Sequence, residues 1–177
     1  MRYPGGHKER VRAQIVEAAS RALRREGIDA VSIPKLMKSA GLTHGGFYVH
    51  FRDRDDLVAQ AIAHAAADSV LARDDATLDG YLSEEHVRHP EHGCVIAALG
   101  ADGPRQPEPV RRIFAEVARG FLRLVERKLH PKKTVKGGAI SDDALATASR
   151  IIGAIVLARL VRDDALAARI VAVAKER

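Results

Sequence analysis

Cysteine is almost absent. Cys94 stands alone in 177 residues, which excludes an internal disulfide framework and any zinc module built on several thiolates. Tryptophan is missing, and aromatics make up 4% of the chain. Ala, Val and Leu dominate the 46% hydrophobic content, and strong helix formers run throughout, so an all-α protein is expected. No apolar run approaches the ~18 residues of a membrane span; the longest, Ile151 to Val161, is interrupted by Arg159. The opening residues MRYPGGHKERVR carry no apolar segment of the secretory kind. Met1 to Gly6 reads as a frayed arm, and a cytoplasmic protein is expected. No Ser-His-Asp order, phosphate loop or carboxylate pair stands out, so neither enzymatic activity nor a cofactor is expected.

What is present is basic and unevenly spread. The net charge is +6, and residues 1–56 hold 11 Lys/Arg against 7 Asp/Glu, whereas residues 57–177 hold 18 against 16. Most of the excess lies in the first third, as suits a polyanion partner. At this length one domain or two small ones can bury a real core.

The stretch Ser32 to Phe51, SIPKLMKSAGLTHGGFYVHF, organises the rest. Ser32 can cap a helix with Pro34 in its first turn, and Ile33, Leu36 and Met37 fall on one face. Gly41 can take the positive φ that ends such a helix. Thr43 is a second N-cap, opening a helix through His44, Gly45, Gly46, Phe47, Tyr48 and Val49. Two short helices across a glycine turn form a helix-turn-helix, whose second helix can enter a major groove. Two glycines in that helix each cost about 1 kcal/mol relative to Ala, and their bare backbone permits close approach to another molecule. Phe47 and Phe51, four apart, can pin the helix to its own core.

Before it, a helix from about His7 to Glu26 carries Val11, Ile15, Ala18, Ala22 and Leu23 on one face, and Gly27 stops it. After it, Asp53 reads as the N-cap of a helix reaching about Arg73, with Asp55 and Asp56 at the positive end of its dipole. Residues 74–93 are irregular, with one short helix around Leu78, Tyr81, Leu82 and Val87. Val95 to Leu99 is a helix rather than a strand, because no second strand candidate exists. Pro107 and Pro109 open a helix with Val110, Ile113, Phe114, Val117, Phe121, Leu124 and Val125 as its stripe. The segment KKTVKGG (132–138) reads as a solvated basic loop. Ser141 caps a helix through Arg162, and a last helix spans Asp163 to Lys175.

The wording GLTHGGFYVHF followed by a charged helix start resembles the DNA-binding motif of the TetR/AcrR transcriptional regulators. The resemblance implies a DNA-binding head (1–52) and a helical regulatory and dimerisation body (53–177), joined by the helix 53–73. It implies a repressor that binds a pseudo-palindromic double-stranded operator as a homodimer and is released by a small-molecule effector. Candidate DNA contacts are Thr43, His44, Gly45, Gly46, Tyr48 and His50, with Lys35 and Lys38. Arg54 joins them because it occupies the position where the family usually has a phosphate-contacting Lys. Tyr48 could instead be a half-buried aromatic, and His50 a helix-end histidine. The last two helices are too apolar for one neighbour to cover, and the resemblance implies dimerisation through them. Their interface candidates are Ala148, Ile151, Ile152, Ile155, Val156, Leu166 and Ile170.

An effector pocket is expected among Leu99, Ile113, Phe114, Val117 and Phe121, with Cys94 and Val95 at one end, although ordinary core packing would also explain all seven. The run HVRHPEHGC holds His86, His89, His92 and Cys94, which offers an alternative: a metal- or thiol-responsive regulator. Pro90 and Gly93 break the register that would align these ligands, and apolar neighbours predict a buried, inert thiol.

Overall fold

A computed structural model of the chain describes residues 6–39, 41–73, 75–131 and 139–176. Residues 1–5 of the expected arm and the basic loop Lys132 to Gly138 lie outside those residues. Every described element is helical. Helix α1 (His7–Glu26) ends where Gly27 takes φ +88° and returns its N–H to the Leu23 carbonyl. Helix α2 (Ile33–Ser39) starts where the Ser32 hydroxyl accepts the Lys35 N–H. It stops at Gly41, φ +71°, where the Leu42 N–H reaches back to Met37. That positive φ is the reason for glycine here.

The second helix of the pair is shorter and tighter than the spacing predicts. A 3₁₀ turn, His44–Gly46, runs directly into α3 (Phe47–His50). Helix α4 (Arg54–Ala67) opens with the Asp53 carboxylate accepting the Asp56 N–H at 2.8 Å, but it ends well short of Arg73. The Ser69 hydroxyl accepts the Leu71 N–H and starts a new 3₁₀ turn, Val70–Ala72, which buries Leu71 completely. A local side-chain cap combined with one buried leucine outcompetes continuation of the helix.

The irregular segment forms two one-turn helices rather than one, because the hydroxyls of Thr77 and Ser83 each cap their own: α5 (Leu78–Tyr81) and α6 (Glu84–Arg88). Helix α7 (Val95–Leu99) follows a 3₁₀ turn at Pro90–His92. Helix α8 (Glu108–Leu129) has Pro107 as N-cap and Pro109 in its first turn. Ser141 and Asp163 cap α9 (Asp142–Leu160) and α10 (Asp164–Lys175) as side-chain acceptors.

Two hydrophobic clusters organise these helices. The first joins Ile15, Leu23, Met37, Phe47 and Phe51 to Leu57, Ala61 and Ile62 of α4, and continues into Val95, Leu99, Val110 and Phe114. The head is thus rooted in the body through α4, which packs on both α1 and α8. Burial of each large side chain in this cluster contributes roughly 1.5–3 kcal/mol. The second cluster gathers Leu71, Tyr81, Leu82, Cys94, Phe121 and Val125 with the inner faces of α9 and α10.

A polar strap ties the two parts. Arg24, 4% exposed, donates to the Gly93 carbonyl at 2.8 Å and to Ser20. From the other side Arg159 of α9 donates to the carbonyls of His86 and Val87. The segment 86–94 is therefore held between α1 and α9.

Candidate nucleic-acid interface and ligand cavity

Phe47 and Phe51 are buried, with ring centroids 5.4 Å apart, and anchor the 43–51 segment from beneath. Its other side faces out. Tyr48 is 64% exposed and Val49 59%. The Thr43 hydroxyl accepts the Gly46 N–H at 3.3 Å, the cap expected from the sequence. Gly45 is exposed, its φ is not positive, and a methyl group built on it would meet nothing within 4 Å. A methyl on Gly46 would make only ordinary contacts with Thr43 and Met37. Neither backbone strain nor packing inside the fold demands glycine at 45. The His44 backbone belongs to the 3₁₀ turn, but its side chain lies outside the described residues.

The structure adds cations that the sequence did not single out. Arg12 donates to the His50 carbonyl at 3.2 Å, and its guanidinium sits 5.5 Å from the Phe51 ring centroid. Burial, then Lys8, Arg12 and His7, hold the His50 imidazole below its usual pKa. The first turns of α1 and the end of α3 therefore form one basic surface beside the exposed segment. The family resemblance implies that the first helix lends basic residues to the DNA surface without singling out positions; KERVR puts Lys8 and Arg12 four apart, on one helix face.

Other predicted contacts are differently placed. Lys38 is exposed at the end of α2. Lys35 pairs with Glu26 at 3.2 Å. Arg54 donates to the Ile28 carbonyl at 2.5 Å and lies 3.9 Å from Asp29. It clamps the α1–α2 turn, which limits its reach toward a phosphate.

Residues 15–61, spanning most of α1 through mid-α4, match the family model described as bacterial regulatory proteins, tetR family. The chain is 33% identical over 52 residues to the HTH-type transcriptional regulator AcrR of Shigella flexneri, and 38% over 50 residues to the HTH-type transcriptional regulator TtgR of Pseudomonas putida. These matches cover 29% and 28% of this chain and 24% of each relative. Over this segment the chain is similar to the tetR family. The matched part spans about a quarter of the curated relatives' length. For the whole chain, a tetR-family regulator from Agrobacterium tumefaciens shares the fold: TM-score 0.70, 19% identity, covering 94% of this chain and 96% of that one.

In the body of the chain, a cavity of about 270 Å³ lies between α4, the Val70–Ala72 turn, α7 and α8. Of the seven residues named for an effector pocket, Cys94, Val95, Val117 and Phe121 line it. Leu99, Ile113 and Phe114 do not; they pack into the cluster beneath the head. A helix stripe cannot tell which part of its length faces a void. A larger cleft of about 720 Å³ runs between α6 and the α9–α10 pair, crossed by Arg88 and Asp164 at 3.5 Å. Its walls carry charges of both signs, and it lies away from the predicted lining.

The histidine run does not assemble into a ligand set. His86 is buried: its Nδ1–H donates to the Tyr81 carbonyl at 2.8 Å, and its Nε2 accepts the Cys94 N–H at 2.9 Å. Both ring nitrogens are committed, and burial lowers its pKa to about 4. His89 and His92 are exposed, and no His/Cys/Asp/Glu group suited to a metal occurs among the described residues. The metal-sensing alternative loses its best ligand to core hydrogen bonding. Cys94 is buried and free, with the Tyr81 hydroxyl beside it.

The apolar surface of the last two helices also needs correction. Ala148, Ile151 and Ile155 are at most 2% exposed and pack into the body's own core. Ile152, Val156 and Ile170 are partly exposed, and Leu145, Leu157, Leu160, Leu166 and Val173 are each more than 40% exposed. No described helix is long and apolar enough to cross a membrane.

Proposed function

We propose that the chain is a cytoplasmic, operator-binding repressor. Its reading surface is Thr43, His44, Gly45, Gly46, Tyr48 and His50, flanked by Lys38, Lys8 and Arg12. The observation that carries this is Gly45: exposed and unstrained, it gains nothing for the fold from lacking a side chain. Absence of a Cβ is useful when a backbone must come close to base edges or phosphates. Tyr48 offers a phenol to a phosphate, and the cations supply the sequence-independent attraction.

The working unit in this reading is a homodimer. Leu145, Ile152, Val156, Leu157, Leu160, Leu166, Ile170 and Val173 supply apolar surface on α9 and α10 that a second copy would cover. Two heads about one helical turn apart, ~34 Å, call for an inverted-repeat operator. The division at residue 52 is then functional rather than a break in the core. A ligand in the 270 Å³ cavity would press on Cys94 and Val95. Gly93, next in the chain, accepts the Arg24 hydrogen bond, so pressure there is passed to α1. Such coupling is typically about 1–3 kcal/mol.

Selection of genomic fragments by the purified protein tests the reading. One inverted-repeat sequence, weakened by Thr43→Ala and Tyr48→Phe, is the expected outcome. No enrichment at low salt by any of the three proteins would overturn it.

A further inference from the structure

We propose that the 270 Å³ cavity selects a small carboxylate with an apolar tail. The inference rests on the effector reading above for its regulatory consequence, but not for the binding itself. The volume falls just below the roughly 300–1,000 Å³ typical of pockets for drug-sized ligands, so the occupant is small. Val95, Val117, Phe121 and Leu124 give the walls no polar group, which suits a hydrocarbon tail.

The polar groups of the lining point to one sign of charge. Arg127, exposed in the last turn of α8, is the permanently charged member among the described lining residues, and none of those is a carboxylate. Ser69, 5% exposed, is the second. Its oxygen accepts the Leu71 N–H at 3.3 Å, so its own proton remains available to donate. The Cys94 thiol, the third, is a weak donor beside the Tyr81 hydroxyl. A guanidinium and a hydroxyl proton at the edge of an apolar chamber complement an anion that accepts two hydrogen bonds and carries a tail. A neutral alcohol of the same length would fill the chamber yet leave the guanidinium without its counter-charge. A cationic ligand would face repulsion.

Calorimetric titration of the full chain with hexanoate, 1-hexanol and hexanamide tests this. Hexanoate should bind at least tenfold more tightly than the other two, and raising the salt concentration should narrow the gap. Arg127→Gln, at an exposed position, should erase the preference while leaving hexanol binding unchanged. Gly120 lines the cavity, and a Cβ there meets nothing within 4 Å, so Gly120→Leu should fold and abolish all three. Equal binding of hexanoate and hexanol, no binding of any probe, or wild-type hexanoate binding by either variant would overturn the assignment. The effector role is read separately, on the protein–operator complex. Hexanoate binding without operator release would sustain the site and overturn the effector reading. Operator release by other ligands alone, with hexanoate not binding, would overturn the site and leave the regulator reading standing.

Discussion

Gly45→Ala adds one methyl group to the turn that begins the reading segment, and its effects on the folded chain and on a DNA complex should have opposite signs. The added Cβ meets no heavy atom within 4 Å, and the backbone there needs no positive φ. No steric or conformational cost opposes the change. Alanine restricts the unfolded chain and favours the helical turn, so the variant should be more stable by about 0.4–1 kcal/mol. For a chain of this size that corresponds to a rise in Tm of about 1–4 °C. Bound to an operator, the same methyl would occupy space reserved for a close approach. A tenfold loss of affinity, about 1.4 kcal/mol, is the least expected. Thermal melts and fluorescence anisotropy on one preparation give both numbers. Gly41→Ala is the control, because φ there is +71° and an L side chain should cost about 1–2 kcal/mol. If Gly45→Ala destabilised the chain, or bound operator like wild type, the argument that this glycine serves an external surface would be refuted.

Other expectations follow from the same geometry. His86 is neutral in the fold with its pKa near 4, whereas the unfolded value is about 6.5. Between those values the unfolded chain binds the proton and the folded chain does not, so stability falls as pH drops from about 6.5 to 4, by about 3 kcal/mol in total. Urea melts should show that loss in wild type and a correspondingly smaller one in His86→Gln. The Glu126 carboxylate accepts both the N–H and the O–H of Ser141; Glu126→Ala should cost about 1–3 kcal/mol in chemical denaturation, and Glu126→Gln, which keeps an acceptor, less. Lys8→Ala should weaken binding to all duplexes alike and lower the salt slope by about one, whereas Lys35→Ala, already paired with Glu26, should change the slope less. Arg24→Met should leave operator binding by the ligand-free protein within tenfold of wild type but blunt any ligand-induced release, measured as duplex dissociation.

Much of the architecture was legible because short-range chemistry set it. The expected caps Ser32, Thr43, Asp53 and Ser141 each accept a backbone N–H three residues on. The glycine stops at 27 and 41 take the positive φ that ends a helix. What escaped was decided by tertiary partners. Ser20 and Arg24 interrupt the apolar face of α1, yet both are buried, because Gly93, sixty-nine residues beyond Arg24, supplies an acceptor. The break in α4 goes with the packing of Leu71 into the second cluster, whose members come from distant parts of the chain. On α9 apolar residues run almost around the helix, so the pattern could not separate Ile151 and Ile155, which face inward, from Leu157 and Leu160, which face out. His86 resembled a metal ligand by spacing, and only the fold reveals that both its nitrogens are taken.

The placement of the 43–50 segment on DNA can be measured directly because the one native thiol is buried. Gly45→Cys, labelled with an iron-chelate cleavage reagent and bound to the selected operator, puts a cutting centre at the start of the reading segment. Two symmetric groups of cuts, centred roughly ten base pairs apart within the inverted repeat, are the result predicted here. The same label at exposed Glu84→Cys on α6 should cut nowhere in the site. Uniform cutting along the duplex from position 45, or cutting from position 84 instead, would contradict the assignment of this segment as the DNA-reading surface of a dimer.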